Sequence, residues 1–125
     1  MDGRNDGDDT RTSLLAESVE IRYVYVAGPY TNGYPPENVR RAYAVAERLV
    51  AMGFEPYIPH ASMLWDIYSP HEYEYWMARD MAWLEQCDAI VRMPGVSPGA
   101  DRECTWAVKN DIPVYFIDDN GVMYA

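Results

Sequence analysis

The chain has 125 residues, of which 49% are hydrophobic, and its formal net charge at pH 7 is −10. A chain of this length can bury the core of one domain without metal or disulfide support. The charge argues against a binder of long nucleic acid, because such proteins need a basic surface and the 10 Lys and Arg residues here are scattered.

The N-terminal stretch differs in composition from the rest of the chain. Residues 1–18 are polar and acidic and predict a disordered tail, because they carry too little apolar surface to offset the entropy of ordering. Residues 19–125 are predicted to form a single domain. Its first element is IRYVYVA, residues 21–27, a short and mostly apolar run that is typical of a strand buried on both faces.

Helical and strand patterns then alternate along the chain. Residues 37–52 predict a helix that Gly53 ends, and residues 54–59 predict an edge strand because they contain two prolines. Residues 60–70, HASMLWDIYSP, predict a loop. The remaining predicted elements are a helix at 71–87, a strand at 88–93, a helix at 98–110 and a strand at 113–117. The apolar Met123 and Tyr124 are expected to dock on this chain or on a neighbour.

This β-α-β-α-β-α-β order predicts an α/β domain with a parallel sheet that helices cover on both sides. Ligands of such sheets bind beyond the carboxyl ends of the strands, near the point where the strand order reverses. The functional loops are therefore expected after Ala27, Pro59 and Met93.

No cofactor, metal or membrane partner is expected. No His, Cys and Asp cluster has the spacing of metal ligands. Cys87 and Cys104 fall within predicted helices, and no signal peptide or membrane-length apolar run is seen, which predicts a reduced, cytoplasmic setting.

Two acidic residues interrupt apolar helical stripes. Asp80 lies between Met77 and Leu84 on one stripe, and Glu103 lies at the edge of another. A buried carboxylate needs a cation, backbone donors or a chemical role, because burying it unpaired is costly. The plainer interpretations are a surface ion pair for Asp80 and an early-turn Glu in a capped helix for Glu103. Ser97 suits the N-cap of that helix, whose N-terminus could bind a hydroxyl-rich or phosphorylated ligand.

Three segments together resemble the nucleoside 2-deoxyribosyltransferase family, including its 2'-deoxynucleoside 5'-monophosphate N-hydrolase branch and small phage and bacterial relatives. They are YVYVAGPY at 23–30, RDMAWLEQCDAIV at 79–91 and SPGADRE at 97–103. The resemblance runs from about residue 21 to residue 116. It implies a flavodoxin-like or Rossmann-like three-layer domain with a parallel sheet of four to five strands. It also implies hydrolysis or base exchange at the N-glycosidic bond of a 2'-deoxynucleoside or its 5'-monophosphate.

The resemblance also implies roles for individual positions. Glu103 matches the nucleophile at the anomeric carbon, Asp80 the aspartate that handles the proton of the departing base, and Tyr25 the tyrosine that orients the nucleophile. Ser97 and Gly99 match positions at the sugar or 5'-phosphate end. Two carboxylates with unequal surroundings would serve this chemistry, with Glu103 kept ionised and Asp80 able to carry a proton.

Further substrate-binding residues are expected in the loops after the first two strands. They are Gly28, Pro29, Tyr30 and His60. The monophosphate hydrolases have a phosphate-binding Ser-x-Arg arrangement after the first strand, which this chain lacks. Conversely, Ser97 stands where the free-nucleoside transferases tend to have an acid, and a serine suits phosphate better. Nucleoside and monophosphate both stay open as substrates, as do water and a second base as acceptors.

A different class of function and an assembly state complete the expectations. The rival interpretation is a nucleotide or ADP-ribose sensor of the same architecture without turnover, since fold does not dictate function. A sensor has no need to direct Glu103 into a cleft. The predicted helix at 71–87 carries Tyr75, Met81 and Trp83 off its main stripe, which predicts a homodimer or larger with this helix at the interface.

Overall fold

A computed structural model gives the fold and describes residues 20–125. The predicted tail at residues 1–18 lies outside the described residues. A 3₁₀ turn at Pro59–Ser62 precedes the second helix. In chain order the elements are β1 (Tyr23–Ala27), α1 (Pro35–Ala51), β2 (Glu55–Tyr57), α2 (Met63–Tyr68), α3 (Tyr73–Leu84), β3 (Ala89–Arg92), α4 (Pro98–Lys109), β4 (Val114–Ile117) and β5 (Met123–Tyr124).

The five strands form one sheet in the order β2-β1-β3-β4-β5. The first four are parallel, and β5 runs antiparallel to β4. This is the flavodoxin-like strand order, and the predicted α/β class is confirmed. The proline-rich strand β2 lies at the edge, and Met123 and Tyr124 dock on this chain by pairing with Ile117 and Phe116.

Alternate side chains of β1 face opposite layers of the molecule. Val24 and Val26 pack in a cluster that includes residues of α1. Tyr25 and Ala27 pack in a second cluster with Leu84 of α3 and with residues of α4. The sheet is therefore the middle of three layers, because strand side chains alternate between faces. Tyr25 belongs to the layer that α3 and α4 cover.

The predicted loop at residues 60–70 is wrong, because this segment forms the 3₁₀ turn and helix α2. None of the α2 residues is buried. Contacts with α3 hold it instead: Asp66 accepts a hydrogen bond from the Trp76 indole at 2.8 Å, and the Trp65 and Trp76 rings meet edge to face. Tertiary contacts of this kind leave no periodic apolar pattern in a short segment.

No helix in the described part of the chain is both long enough and apolar enough to cross a membrane.

Candidate active site

A cavity of about 400 Å³ opens beside the carboxyl ends of β1 and β3, where the strand order reverses. Its walls come from the loops after β1 and β2, from α3 and from the first turns of α4. Gly28 allows the loop after β1 to approach the end of β3, because a Cβ at this position would lie 2.8 Å from the side chain of Met93. The cavity thus occupies the place where ligands bind in this class of fold.

Glu103 lines the cavity and is buried, with only 5% of its surface exposed. Tyr25, fully buried on β1, donates its phenol hydrogen to Oε2 of Glu103 at 2.6 Å. Such a short bond is typical of a hydroxyl that donates to a carboxylate. Since Tyr25 engages Oε2, it fixes the orientation of the carboxylate and leaves Oε1 for other partners.

Asp80 of α3 lines the same cavity and is half-buried. Burial raises its pKa to about 7, against the opposing charge of Arg79. Burial also raises the pKa of Glu103 to about 8, opposed by the hydrogen bond from Tyr25 and supported by the charge of Asp80. The charge of Asp80 thus contributes to the raised pKa of Glu103, and both carboxyl groups titrate near neutral pH.

The expected difference between these two carboxyl groups is only partly met. Burial outweighs the Tyr25 hydrogen bond, so Glu103 is not held ionised throughout the neutral range. In the pH range between the pKa values of the two groups, Asp80 and Glu103 together carry about one proton. One protonated and one ionised carboxyl group is the combination that glycosidic cleavage with a nucleophile and an acid requires. Since Glu103 has the higher pKa of the two, it holds the proton in most molecules, and the arrangement with Glu103 ionised and Asp80 protonated is the minority form of the pair.

His60 is buried and lines the cavity after β2. Its Nε2 lies 3.0 Å from the carbonyl oxygen of Pro29 and, as the N–H tautomer, donates to it. Burial lowers the pKa of His60, which favours the neutral ring. Pro29 itself does not line the cavity, whereas Gly28 and Tyr30 do. His60 therefore braces the loop after β1, and Tyr30 presents its side chain to the cavity.

Ser97 and Gly99 are at the start of α4 and both line the cavity. Ser97 is the N-cap: its hydroxyl oxygen accepts from the backbone N–H of Ala100 at 3.1 Å, and its hydrogen is directed to the carbonyl oxygen of Gly28 at 3.4 Å. A Cβ on Gly99 would lie 3.2 Å from the hydroxyl of Tyr73. Ser97 thus caps the helix as well as lining the cavity, and Gly99 leaves little room for a side chain beside Tyr73.

A family model described as a domain of unknown function, DUF7768, matches residues 22–117. The chain belongs to the DUF7768 family. The matched segment contains all the strands of the parallel sheet and every residue of the candidate site. No curated protein matches the sequence.

One solved structure similar to this DUF7768 protein is a 2-deoxyribosyltransferase from the psychrotolerant bacterium Bacillus psychrosaccharolyticus. The likeness has a TM-score of 0.59 and covers 82% of this chain and 77% of that chain, at 18% sequence identity. At this identity the likeness shows a common fold. It agrees with the fold that the sequence motifs imply.

Three residues of the DUF7768 domain support the cavity or its rim and were not predicted. Asn38 is buried on α1, and its amide donates to the carbonyl oxygens of Tyr30 and Asn32 in the loop after β1. Its position four residues before Ala42 on the buried stripe is the signal that could have identified it. The other two are Arg92 and Asp66.

Arg92 shapes the loop that leads into α4. Its guanidinium donates to the carbonyl oxygens of Met93 and Gly95 and to the Asp101 carboxylate. Only 11% of its side chain is exposed, although it forms an ion pair with Asp101 at 2.9 Å. In the sequence, Arg92 could have been identified as a charged residue at the end of a strand that is otherwise apolar and buried. Arg92 therefore fixes the loop between β3 and the N-cap of α4.

Within residues 20–125, no group of three or more His, Cys, Asp or Glu side chains is arranged to hold a metal ion.

Proposed function

We propose that this DUF7768 protein cleaves the N-glycosidic bond of a 2'-deoxynucleoside, by hydrolysis or by base exchange. The observation that carries the proposal is the buried Glu103, hydrogen-bonded by Tyr25 and facing a cavity that it shares with Asp80. The fold likeness to a 2-deoxyribosyltransferase and the sequence motifs support the same class of reaction.

In the first step an oxygen of Glu103 forms a bond to the anomeric carbon while the bond from that carbon to the base breaks. The electron pair of the breaking bond moves to the base nitrogen, and Asp80 supplies the proton that neutralises the departing base. Tyr25 donates its hydrogen bond to Oε2 and holds the carboxylate in position. In the second step water or another base attacks the anomeric carbon, Glu103 departs as carboxylate, and Asp80 regains a proton.

The electrostatics of the cavity favour the free nucleoside over its 5'-monophosphate. Its lining residues include the carboxyl groups of Asp66, Asp80 and Glu103, and none of the described lining residues is Lys or Arg. A phosphate monoester brings a charge of about −1.5 to −2 at pH 7 and needs cationic or N–H donors. At the α4 N-terminus, Pro98 has no N–H, the N–H of Ala100 bonds to Ser97, and the Ser97 hydroxyl is directed to the Gly28 carbonyl, so among Pro98, Gly99 and Ala100 only Gly99 offers a backbone N–H.

We therefore expect free 2'-deoxynucleosides to be cleaved at least about tenfold more efficiently than their 5'-monophosphates, the equivalent of one charge-assisted interaction. The test is release of free base from a panel of both substrate types, with and without a second base. A new nucleoside in the presence of the second base identifies a transferase, and free sugar identifies a hydrolase. A preference for monophosphates would refute the assignment of substrate form.

The same panel separates the enzyme from the nucleotide or ADP-ribose sensor. A sensor would bind members of the panel without releasing base from any of them. The inward position of Glu103 supports the enzyme, because burying a carboxylate is costly and a sensor has no need of one that Tyr25 orients into the cavity.

We also expect the protein to form a homodimer or larger assembly through α3. Tyr73, Tyr75 and Trp83 of this helix are exposed, and the neighbouring α2 exposes further apolar side chains. Met81, predicted to lie on the outer surface, packs against the inner core instead. Exposed apolar area of this kind is typical of interfaces.

Light scattering at micromolar concentration should therefore give at least twice the mass of the chain. Trp83→Lys should shift the protein toward the monomer. Val50→Lys, an equivalent change of an exposed apolar residue on α1 in the opposite layer, should not. A wild-type monomer would contradict the expectation.

A further inference from the structure

Asp66 lines the cavity but has no part in the bond-breaking chemistry described above. Its Oδ1 accepts a hydrogen bond from the Trp76 indole at 2.8 Å and another from the backbone N–H of His71 at 3.3 Å. Two donors on one oxygen hold the carboxylate in a definite orientation. Neither of these contacts uses Oδ2, so this oxygen is available to accept a further hydrogen bond.

The partners of Asp66 place it on the side of the cavity that carries Asp80, the proposed proton donor to the departing base. Trp76 precedes Asp80 by one helical turn on α3, so both project from the same face, and both line the cavity. Tyr30 lies close enough to Asp66 for the carboxylate charge to raise the pKa of its phenol, after the larger effect of burial. Trp76 and Tyr30 thus give the cavity two aromatic walls, which suit a flat base, and Asp66 lies beside both.

We propose that Asp66 selects the base: its carboxylate accepts a hydrogen bond from an exocyclic amino group and so favours adenine and cytosine over hypoxanthine and uracil. This inference rests on the proposed function and deepens it. An ionised carboxylate can only accept hydrogen bonds. When a base presents a carbonyl oxygen at the same place, two acceptors face each other, and a site built for one hydrogen-bonding group strongly rejects such an analogue.

The experiment compares two matched substrate pairs, deoxycytidine with deoxyuridine and deoxyadenosine with deoxyinosine. Within each pair the amino base is expected to have a kcat/KM at least about tenfold higher, the size of one charge-assisted hydrogen bond. Asp66→Asn keeps an oxygen for the Trp76 indole and places an amide NH₂ at the other position. The preference should then fall below about threefold or invert, because an amide group can donate to a carbonyl.

The control is Glu72→Gln, which removes an exposed carboxylate that precedes α3 and does not line the cavity. This control should keep the wild-type preference. If the wild type has the same kcat/KM for both members of a pair, the proposal is wrong. It is also wrong if the ratio of the two kcat/KM values is unchanged in Asp66→Asn. A uniform loss of activity on all four substrates would overturn it too, because Asp66 would then only anchor Trp76.

A binding measurement separates failure of this inference from failure of the proposed function. Dissociation constants for the four nucleosides are measured by calorimetry with Glu103→Gln and with Glu103→Gln combined with Asp66→Asn. If the wild type releases no base, the proposed cleavage is wrong, yet tighter binding of the amino bases that Asp66→Asn abolishes still supports Asp66 as the selecting group. Absence of such a difference in binding, or no binding of any of the four, overturns the inference.

Discussion

Glu103→Gln is expected to lower the rate of base release by about 10³-fold or more while nucleoside binding changes only a few-fold. Glutamine has the size of glutamate and still offers an oxygen to the Tyr25 hydroxyl, which bonds to Oε2 at 2.6 Å in the native protein. It lacks the negative charge and the nucleophilic oxygen that would trap the anomeric carbon. Single-turnover base release and calorimetric binding measure the two effects separately.

The control for this variant is Glu47→Gln, which changes an exposed glutamate on α1 and should leave both quantities unaltered. Near-normal cleavage by Glu103→Gln would refute the nucleophile assignment. The N-terminus of α4 would then have only a ligand-binding role.

The same variant has a pH signature in stability that shows whether it is correctly folded. Burial raises the pKa of Glu103 from 4.5 to about 8, so the folded protein binds more protons than the unfolded chain between these values. The free energy of unfolding therefore falls as pH rises through this window. Glutamine does not titrate, so the stability advantage of Glu103→Gln should grow with pH up to about 8, at roughly 1.4 kcal/mol per unit of pKa shift. Denaturant unfolding at several pH values measures it.

Asp80→Asn is expected to slow the release of poor leaving bases by about 10² to 10⁴-fold, the usual contribution of a general acid. The loss should be much smaller for 7-methyl-2'-deoxyguanosine, whose cationic base departs readily without a proton. Asparagine keeps the shape of the aspartate but has no acidic proton to give. Rates on the two kinds of substrate, compared in wild type and variant, test the assignment.

The pH profile gives a second test of Asp80. In the wild type, activity should be greatest at the pH where the two carboxyl groups together hold one proton. The pH profile should then have an acid limb near pH 7 and an alkaline limb near pH 8, at the pKa values of the pair. At lower pH Glu103 is protonated and cannot attack; at higher pH Asp80 has no proton to donate. Asp80→Asn should lose the alkaline limb, since asparagine does not titrate.

The remaining acid limb of Asp80→Asn should report Glu103 alone, whose pKa is raised mainly by burial and loses only the contribution of the Asp80 charge. Glu85→Gln, an exposed change at the C-terminal end of α3, serves as the control and should keep both limbs. An alkaline limb that survives in Asp80→Asn would show that another group supplies the proton.

The sequence by itself determined the class of fold and the principal candidate residues. Apolar patterns with periods of two and of 3.6 residues indicate strands and helices that must bury their apolar faces. The succession of these elements along the chain therefore predicts a parallel sheet covered by helices. An acid on an apolar stripe is a conflict within one element, visible without coordinates, which is why Asp80 and Glu103 could be singled out. The resemblance of three motifs to the nucleoside 2-deoxyribosyltransferase family added Tyr25 and the roles proposed for all three.

Only the tertiary structure decided how these residues act together. Helix α2 and the place of Asp66 depend on contacts with Trp76, which no local pattern encodes. The pKa values of Asp80 and Glu103 depend on burial, and that of Glu103 depends also on the charge of Asp80 from a separate helix. The Ser97 hydroxyl is directed to Gly28, a residue far away in sequence. Burial, charge coupling and hydrogen bonding act through space, and chain crossovers bring together groups whose spacing in the sequence carries no trace of their contact.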